Sequence, residues 1–525
     1  MLSLSCGKYK CIDKLGSGTY GQVFKVLSPK NEIFAVKRNI VSISYSGTAA
    51  SVRELDILTK VQNHPYCLQL KETHFGTPFD NDHPIEINAM TVDKLHFVME
   101  KGDLDGSRFI QSSPSWIDRK LFILHLLLAV EFLHSRKIYH RDIKPANVIC
   151  FLENRTLKAT KLTDFGLAQY YTFQNISSPD MVTLWYRAPE IVLHKEYDLK
   201  IDIWSLGCIL YELLTGKPLF TPANEEQLIN LCISTLPFPH EDYVIAKQIY
   251  KRSISSNYNN SQKNLVSLSN RINLPEYEKV IFNSSKVNGQ FNSGKYDDCM
   301  DLLSHMLSVN PKNRYTATQC LNSEFFSGFH GIINQVRTQF GINSDGDWIF
   351  KPDYMFKYNR GNIRQVGMKW FKIVYNARNT YPINTWYNHR ILFHAIEMFD
   401  RYLVHSGIDN VSEGHVLIWV NTFLFIATKF FRILQSMVSI MSFANGISED
   451  QHDIFKSSAV RFEEFVIRDV FFGQIYQPTF YELAPEYLND QLISKFLDLI
   501  WSEKIPSETY YREFWNKYNL ETFSI

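Results

Sequence analysis

The sequence predicts an α+β chain, with a bilobal first part and an all-α helical domain behind it. Three observations predict it. Short apolar runs separated by glycine-rich turns open the chain and read as the strands of a small lobe. From about residue 102 the apolar spacing turns helical, which gives a larger second lobe. Beyond residue 350 the chain is helical and aromatic, and 525 residues suffice for two to four domains. The boundaries read from these shifts are 9–326 for the bilobal domain, with lobes of about 9–101 and 102–326. A connector follows over 327–350, marked by Gly341, Ser344-Asp345-Gly346 and Pro352. The helical domain takes 351–480 and a helical extension 481–525.

Charge narrows the function classes. With 55 Lys and Arg against 54 Asp and Glu the chain carries net +1, so no broad field for nucleic acid or an anionic membrane is expected. The eight cysteines lack paired metal spacing and none follows Cys320, which suits reduced thiols in a cytosolic or nuclear setting. Lys8 and Lys10 interrupt the apolar core that a secretory signal at this start would need. Residues 416–428 are almost wholly apolar, but Lys429 and Arg432 close the run short of the roughly 18 residues of a membrane span. A buried core helix is the expectation there.

The elements can be taken in order. Residues 9–15 read as a strand running into Leu15-Gly16-Ser17-Gly18-Thr19-Tyr20-Gly21-Gln22-Val23, and 23–27 as a second strand. Glycines there let backbone amides approach phosphates. The same letters occur in dinucleotide-binding loops, but those open a helix, whereas this loop is followed by a strand as in protein kinases. The next strand brings Ala35-Val36-Lys37, with Lys37 placed to hold the α- and β-phosphates of ATP. Its carboxylate partner is expected on the following helix at Glu54.

His140-Arg141-Asp142-Ile143-Lys144-Pro145-Ala146-Asn147 is the densest local signal in the chain. Phosphoryl transfer depends on positioning and charge compensation. Asp142 would orient the acceptor hydroxyl and take its proton, and Lys144 would contact the transferring phosphate. Asn147 and Asp164, the latter in Asp164-Phe165-Gly166, supply the amide and carboxylate oxygens that suit Mg²⁺. Ala188-Pro189-Glu190, the Asp202-Ile203-Trp204-Ser205-Leu206-Gly207 helix and Arg314, as the partner of Glu190, complete the set.

Residues 7–326 resemble the cyclin-dependent kinases, Ser/Thr kinases of the CMGC group, through the Thr19-Tyr20 loop, the Val182-Thr183-Leu184-Trp185-Tyr186-Arg187-Ala188-Pro189-Glu190 run and residues 202–208. The resemblance implies a bilobal protein-kinase fold, ATP and Mg²⁺ as cofactors and protein substrates with Ser/Thr-Pro sites, Arg187 belonging to the arrangement that favours the proline. It implies a hinge from the gatekeeper Met99 through Glu100 to Gly102, with Asp105 capping the ribose. Thr19 and Tyr20 match inhibitory phosphorylation positions, and Ser178, before Pro179, the activating one. Of the three arginines that receive that phosphate, Arg53 and Arg141 match and Gln169 replaces the third, so Ser178 phosphorylation is expected to help without acting as an absolute switch. The helix before Glu54 reads Thr48-Ala49-Ala50-Ser51-Val52-Arg53-Glu54 and keeps only the family's Arg-Glu end, which departs from the surface that cellular cyclins meet.

The tail resembles a cyclin box. Helices are expected over 362–377, 385–404, 415–432, 450–458 and 460–472. Arg364 and Trp370 match the first, Phe399-Asp400-Arg401 the end of the second and Ala427-Thr428-Lys429 the end of the third. Lys429 and Glu463 match the pair that in cyclins faces the kinase's regulatory helix, while Gly367 removes a wall from the substrate-docking patch of some cyclins. The implied partner is the chain's own cyclin-like domain, in cis or in trans, across a connector of about 25 residues that reaches about 80 Å at most. The alternative is an external cyclin, with the tail a recruitment module.

Overall fold

The computed structural model describes residues 9–18, 21–39, 45–75, 95–171, 184–251, 254, 294–347, 361–377, 389–406, 411 and 413–430. The chain forms two compact units. One comprises Met1–Lys60, Leu70–Met99 and Phe350–Ile525, the other Val61–Gln69 and Glu100–Ile349.

The first unit opens with a sheet of five strands, β1 (Lys10–Gly18), β2 (Gly21–Leu27), β3 (Ile33–Asn39), β4 (Leu70–Phe75) and β5 (Leu95–Glu100), ordered β1-β2-β3-β5-β4. β-Branched Val26, Val36 and Val98 fill one face together with Tyr9. The Tyr9 hydroxyl donates to Glu72 at 2.7 Å, which ties the start of β1 to β4. Helix α1 (Tyr45–Lys60) follows β3.

In the second unit, β6 (Leu104–Asp105) leads into α2 (Gly106–Gln111) and α3 (Trp116–Ser135). α3 starts where the Ser115 hydroxyl accepts the Asp118 amide at 3.2 Å, and residues 122–133 are buried without exception, because this helix is the axis of the lobe. β7 (Ile138–Tyr139), β8 (Val148–Glu153), β9 (Thr156–Leu162) and β10 (Gln169–Tyr170) form two small sheets, β6-β8-β9 and β10-β7, that carry the loops between them. α4 (Pro189–Val192), α5 (Ile201–Thr215), α6 (Glu225–Thr235), α7 (His240–Tyr250), α8 (Gly294–Met306) and α9 (Ala317–Leu321) complete the helical part.

Residues 327–350, expected as a connector, instead hold the helix α10 (His330–Phe340) within this unit. The reason is a buried ion pair that local composition does not reveal: Arg337 donates from Nη2 to Glu131 on α3 at 2.7 Å. The Phe340 carbonyl accepts from Arg136 at 3.0 Å, and its ring lies 4.8 Å from that of His64. Gly341, at φ 62°, then ends the helix.

Two buried imidazoles make this unit acid-sensitive. His64 sits among Phe132 and Phe340, and burial, helped by the charges of Arg136 and Lys161, pushes it down to about 3; burial does the same to His125. In the unfolded chain both protonate near the ordinary value of about 6.5. Their contribution is therefore whole above that pH and is lost as pH falls toward the folded value. The urea midpoint is expected to fall between pH 7 and 4.5, and His64→Phe, which fits the aromatic surroundings, to make that fall shallower. An unchanged slope in the variant would refute this.

The tail returns to the first unit as α11 (Gly361–Ala377), α12 (His389–Ser406) and α13 (Glu413–Phe430). The bounds lie within a few residues of those expected for the first three tail helices; 450–458 and 460–472 lie outside the described residues. Aromatic rings join the three: Phe371 to Phe399 at 5.7 Å, Phe399 to Phe423 at 6.1 Å and Tyr402 to Trp419 at 4.9 Å. The apolar run from Val416 is core, and among the described residues no helix is long and apolar enough to cross a membrane.

Gly367 corrects an expectation. It is buried, and a β-carbon there would run into the Phe399 ring, so the glycine lets α11 and α12 cross closely and does not leave a gap in a docking patch. Overpacking costs roughly 1–3 kcal/mol, and the helix preference for alanine returns about 0.5–1 kcal/mol. Gly367→Ala is thus expected to destabilise the tail by about 1–2 kcal/mol in chemical unfolding; a stabilised variant would contradict this packing.

α13 packs against α1. Along α1, Arg53, Glu54, Leu55, Asp56, Ile57, Leu58 and Thr59 are each at most 4 % exposed. An isolated amphipathic helix buries one stripe. Seven consecutive buried positions mean that α1 is covered on every side there.

Candidate active site

In the first unit the two arms of the glycine loop pair as Gly16↔Val23, Ser17↔Gln22 and Gly18↔Gly21. Leu15 is exposed, the backbone shifts register beside it between Lys14 and Gly16, and Thr19 and Tyr20 lie outside the described residues. Val23 faces Lys37 across β2–β3, and Ala35 is buried two positions before it. Lys37 Nζ donates to Glu54 Oε1 at 2.5 Å, with both side chains under 10 % exposed. Removing either partner would strand a buried charge, so the pair holds the ammonium at one position. Met99, opposite Leu70, ends this unit as a buried residue.

In the second unit Glu100 is fixed at both ends. Its amide donates to the Gln69 carbonyl at 3.1 Å, and its carboxylate accepts from Gln69 N at 2.8 Å and Lys161 Nζ at 2.7 Å. Gly102 is required by space, since a β-carbon would collide with Ile149 and sit 3.0 Å from the Cys150 carbonyl. Asp105, expected at a ribose, caps α2 here: its Oδ1 accepts the Arg108 amide at 3.0 Å.

The catalytic loop is built around Asp142. Lys144 Nζ donates to its Oδ2 at 2.8 Å, and Asn147 Nδ2 donates to its carbonyl at 2.8 Å and to Oδ2 at 2.9 Å. Because the Asn147 amide nitrogen is spent on Asp142, its oxygen is the atom left to offer a cation. Asp164 contributes a carboxylate after β9. One amide oxygen and one carboxylate fit hard Mg²⁺, which keeps several waters and phosphate oxygens in its shell. Among the described residues no cluster of three or more His, Cys, Asp or Glu side chains offers a softer site.

Two residues of this region stand in left-handed backbone, Arg141 at φ 71° and Asp164 at φ 62°. Conformations of this kind persist where neighbours over-determine them. Asp202 does so for Arg141, accepting the His140 amide at 2.8 Å, the Arg141 amide at 2.9 Å and His134 Nε2 at 3.0 Å. Burial alone would raise this carboxyl, but the His134 hydrogen bond, the His140 charge and the Arg141 amide prevail and hold it below the usual range. His140 Nε2 lies 3.0 Å from the Thr163 carbonyl, which can only accept. That nitrogen therefore carries the hydrogen, and Nδ1 accepts the Asp142 amide at 3.3 Å.

Arg314 closes a two-point pair on Glu190, at 2.6 and 2.9 Å, as the motif implies. Arg187 donates to Glu225 at 2.8 Å, and Arg141 Nη1 to Gln169 Oε1 at 2.8 Å. Arg53 is buried on α1. Ser178 and Glu463 lie outside the described residues, and Lys429 is placed by its backbone near the end of α13. Sequence reasoning missed His134, Gln69 and Lys161; each is a polar residue whose partner is remote in the chain, so spacing carries no signal for it.

Residues 9–326 match the family model described as the protein kinase domain. The chain is also 32% identical over 345 residues to mitogen-activated protein kinase 15 of Xenopus laevis, an alignment covering 64% of this chain and 53% of that protein. The chain thus spans about half the length of the curated relative it matches.

Proposed function

The chain belongs to the protein kinase family, and from that premise we propose that it transfers the γ-phosphoryl group of ATP to serine or threonine hydroxyls of proteins. The observation that carries the proposal is Asp142 held by Lys144 and Asn147 on a loop fastened through Asp202. In this reading the Asp142 carboxylate accepts the proton of the attacking hydroxyl while the bond from the γ-phosphorus to ADP breaks. Lys144 donates to the transferring phosphate, and Lys37, steadied by Glu54, holds the α- and β-phosphates. The amides between Gly16 and Gly21 close over them, and Met99, Glu100 and Gly102 bound the adenine. Bound at Asn147 and Asp164, Mg²⁺ would neutralise charge developing on the phosphate oxygens. Peptides that differ only in having proline after the acceptor test the Ser/Thr-Pro preference assigned to Arg187. Equal rates on both would remove it, and no transfer to either would sink the kinase reading.

The finer reading is a CMGC-group kinase, cyclin-dependent-kinase-like in its motifs, that carries its own cyclin-like activator. The packing of α13 on α1, in a unit where Glu54 already meets Lys37, supports it. An activator that seats only on the active position of α1 shifts the equilibrium by its differential contact. Lys429→Glu on α13 is expected to lower the activity of the purified full chain; unchanged activity would favour a separate activator. Ser178→Ala is expected to lower activity without abolishing it, and either a complete loss or no change would overturn the role given to Ser178.

A further inference from the structure

The junction between α1 and the tail contains four charged side chains. On α1, Asp56 and Lys60 are one turn apart and paired at 2.6 Å, with Asp56 fully buried. On α12, Glu397 and Arg401 are one turn apart and paired at 3.2 Å, their side chains 13 and 9% exposed. The two pairs feel each other: the charges of Arg401 and Glu397 act on Lys60, and those of Lys60 and Asp56 act on Glu397. Burial pushes the Glu397 carboxyl up to about 7 against the pull of Arg401, as expected for a group inside the junction. α13 packs on both α1 and α12 and encloses the quartet.

Apolar helix faces tolerate sliding, because leucine meets leucine nearly as well one turn along. Buried charges do not. A shift of one turn, about 5.4 Å, would bring like charges together or leave one without its partner. Such groups add little net stability but strongly penalise the wrong register.

We propose that Asp56, Lys60, Glu397 and Arg401 form a single register lock between α1 and the tail, and that they are positioning residues for phosphoryl transfer because the seat of the tail on α1 sets Glu54 against Lys37. The proposal rests on the reading of the tail as activator and names the contact through which it acts.

The test uses the full chain with Lys60→Met, Glu397→Gln and the two together. Each single variant is expected to lower kcat about tenfold while the peptide KM moves less than about twofold, and the double to be no worse than the poorer single. Lys60→Arg, which keeps the charge, is expected to restore kcat to within about twofold of the parent. Losses that multiply in the double variant would overturn the lock, as would full activity in the singles. Hydrogen exchange of the amides over 45–60 reads the same contact without catalysis: each single is expected to speed it about tenfold, and unchanged exchange would overturn the proposal. A chain that transfers no phosphate yet shows this exchange pattern would sink the kinase reading and keep the lock. Glu397→Gln preserves shape, and thermal unfolding of each variant separates misfolding from misplacement.

Discussion

Asp142→Asn is expected to lower kcat by roughly 10²–10⁴ with little change in KM for ATP. Asparagine keeps the shape of the side chain and still offers Lys144 an oxygen to bond. It cannot take a proton, and its nitrogen turns a donor toward a site where Lys144 and Asn147 already donate. The loop itself is fastened elsewhere, by the Asp202 carboxylate on the His140 and Arg141 amides. Melting of the variant is therefore expected within a few degrees of the parent. Retention of more than about a tenth of the parent rate would remove Asp142 from the role of base.

Arg314→Met is expected to cost stability in place of turnover, by about 3–5 kcal/mol. The guanidinium is wholly buried, bonds both oxygens of Glu190 and also serves the Lys200 and Ser308 carbonyls. Without it Glu190 keeps a charge in a site only 2 % exposed. For a unit of this size the loss corresponds to a melting point lower by roughly 6–20 °C. The stranded carboxylate titrates upward, so the deficit should shrink as pH falls and Glu190 takes a proton. Glu190→Leu combined with Arg314→Met should recover much of the loss, since the apolar pair no longer buries a charge. A melting shift under about 2 °C in the single variant would show that the pair carries no such load.

The kinase half of the fold was legible because phosphate chemistry demands particular side chains at fixed separations. The octapeptide from His140 to Asn147 specifies its loop almost alone, and Lys37 called for a carboxylate that Glu54 supplies. Contacts between residues distant in the chain left no such mark. Arg337 reads as an ordinary helix arginine until Glu131, 206 positions away, is seen beneath it, and for that reason α10 looked like connector. Glu397 and Arg401 read as a solvated pair at helix spacing, and only the position of α1 makes them interior. Gly367 was misjudged for a related reason: a missing side chain marks a void as readily as a close crossing, and the Phe399 ring decides which.

The hydrogen bond from Arg141 to Gln169 has a consequence for signalling range. A guanidinium with no acceptor of its own gains the full strength of a new phosphate, so its enzyme can be nearly silent before modification and fast after it. Here a neutral oxygen already occupies part of that fork, and an incoming phosphate gains only the difference between the two acceptors. Since a ligand shifts an equilibrium by no more than its differential affinity, the contrast between unmodified and modified enzyme is compressed. Such a kinase behaves like a dimmer with a raised lower stop, passing a graded output even when no upstream enzyme has acted on it.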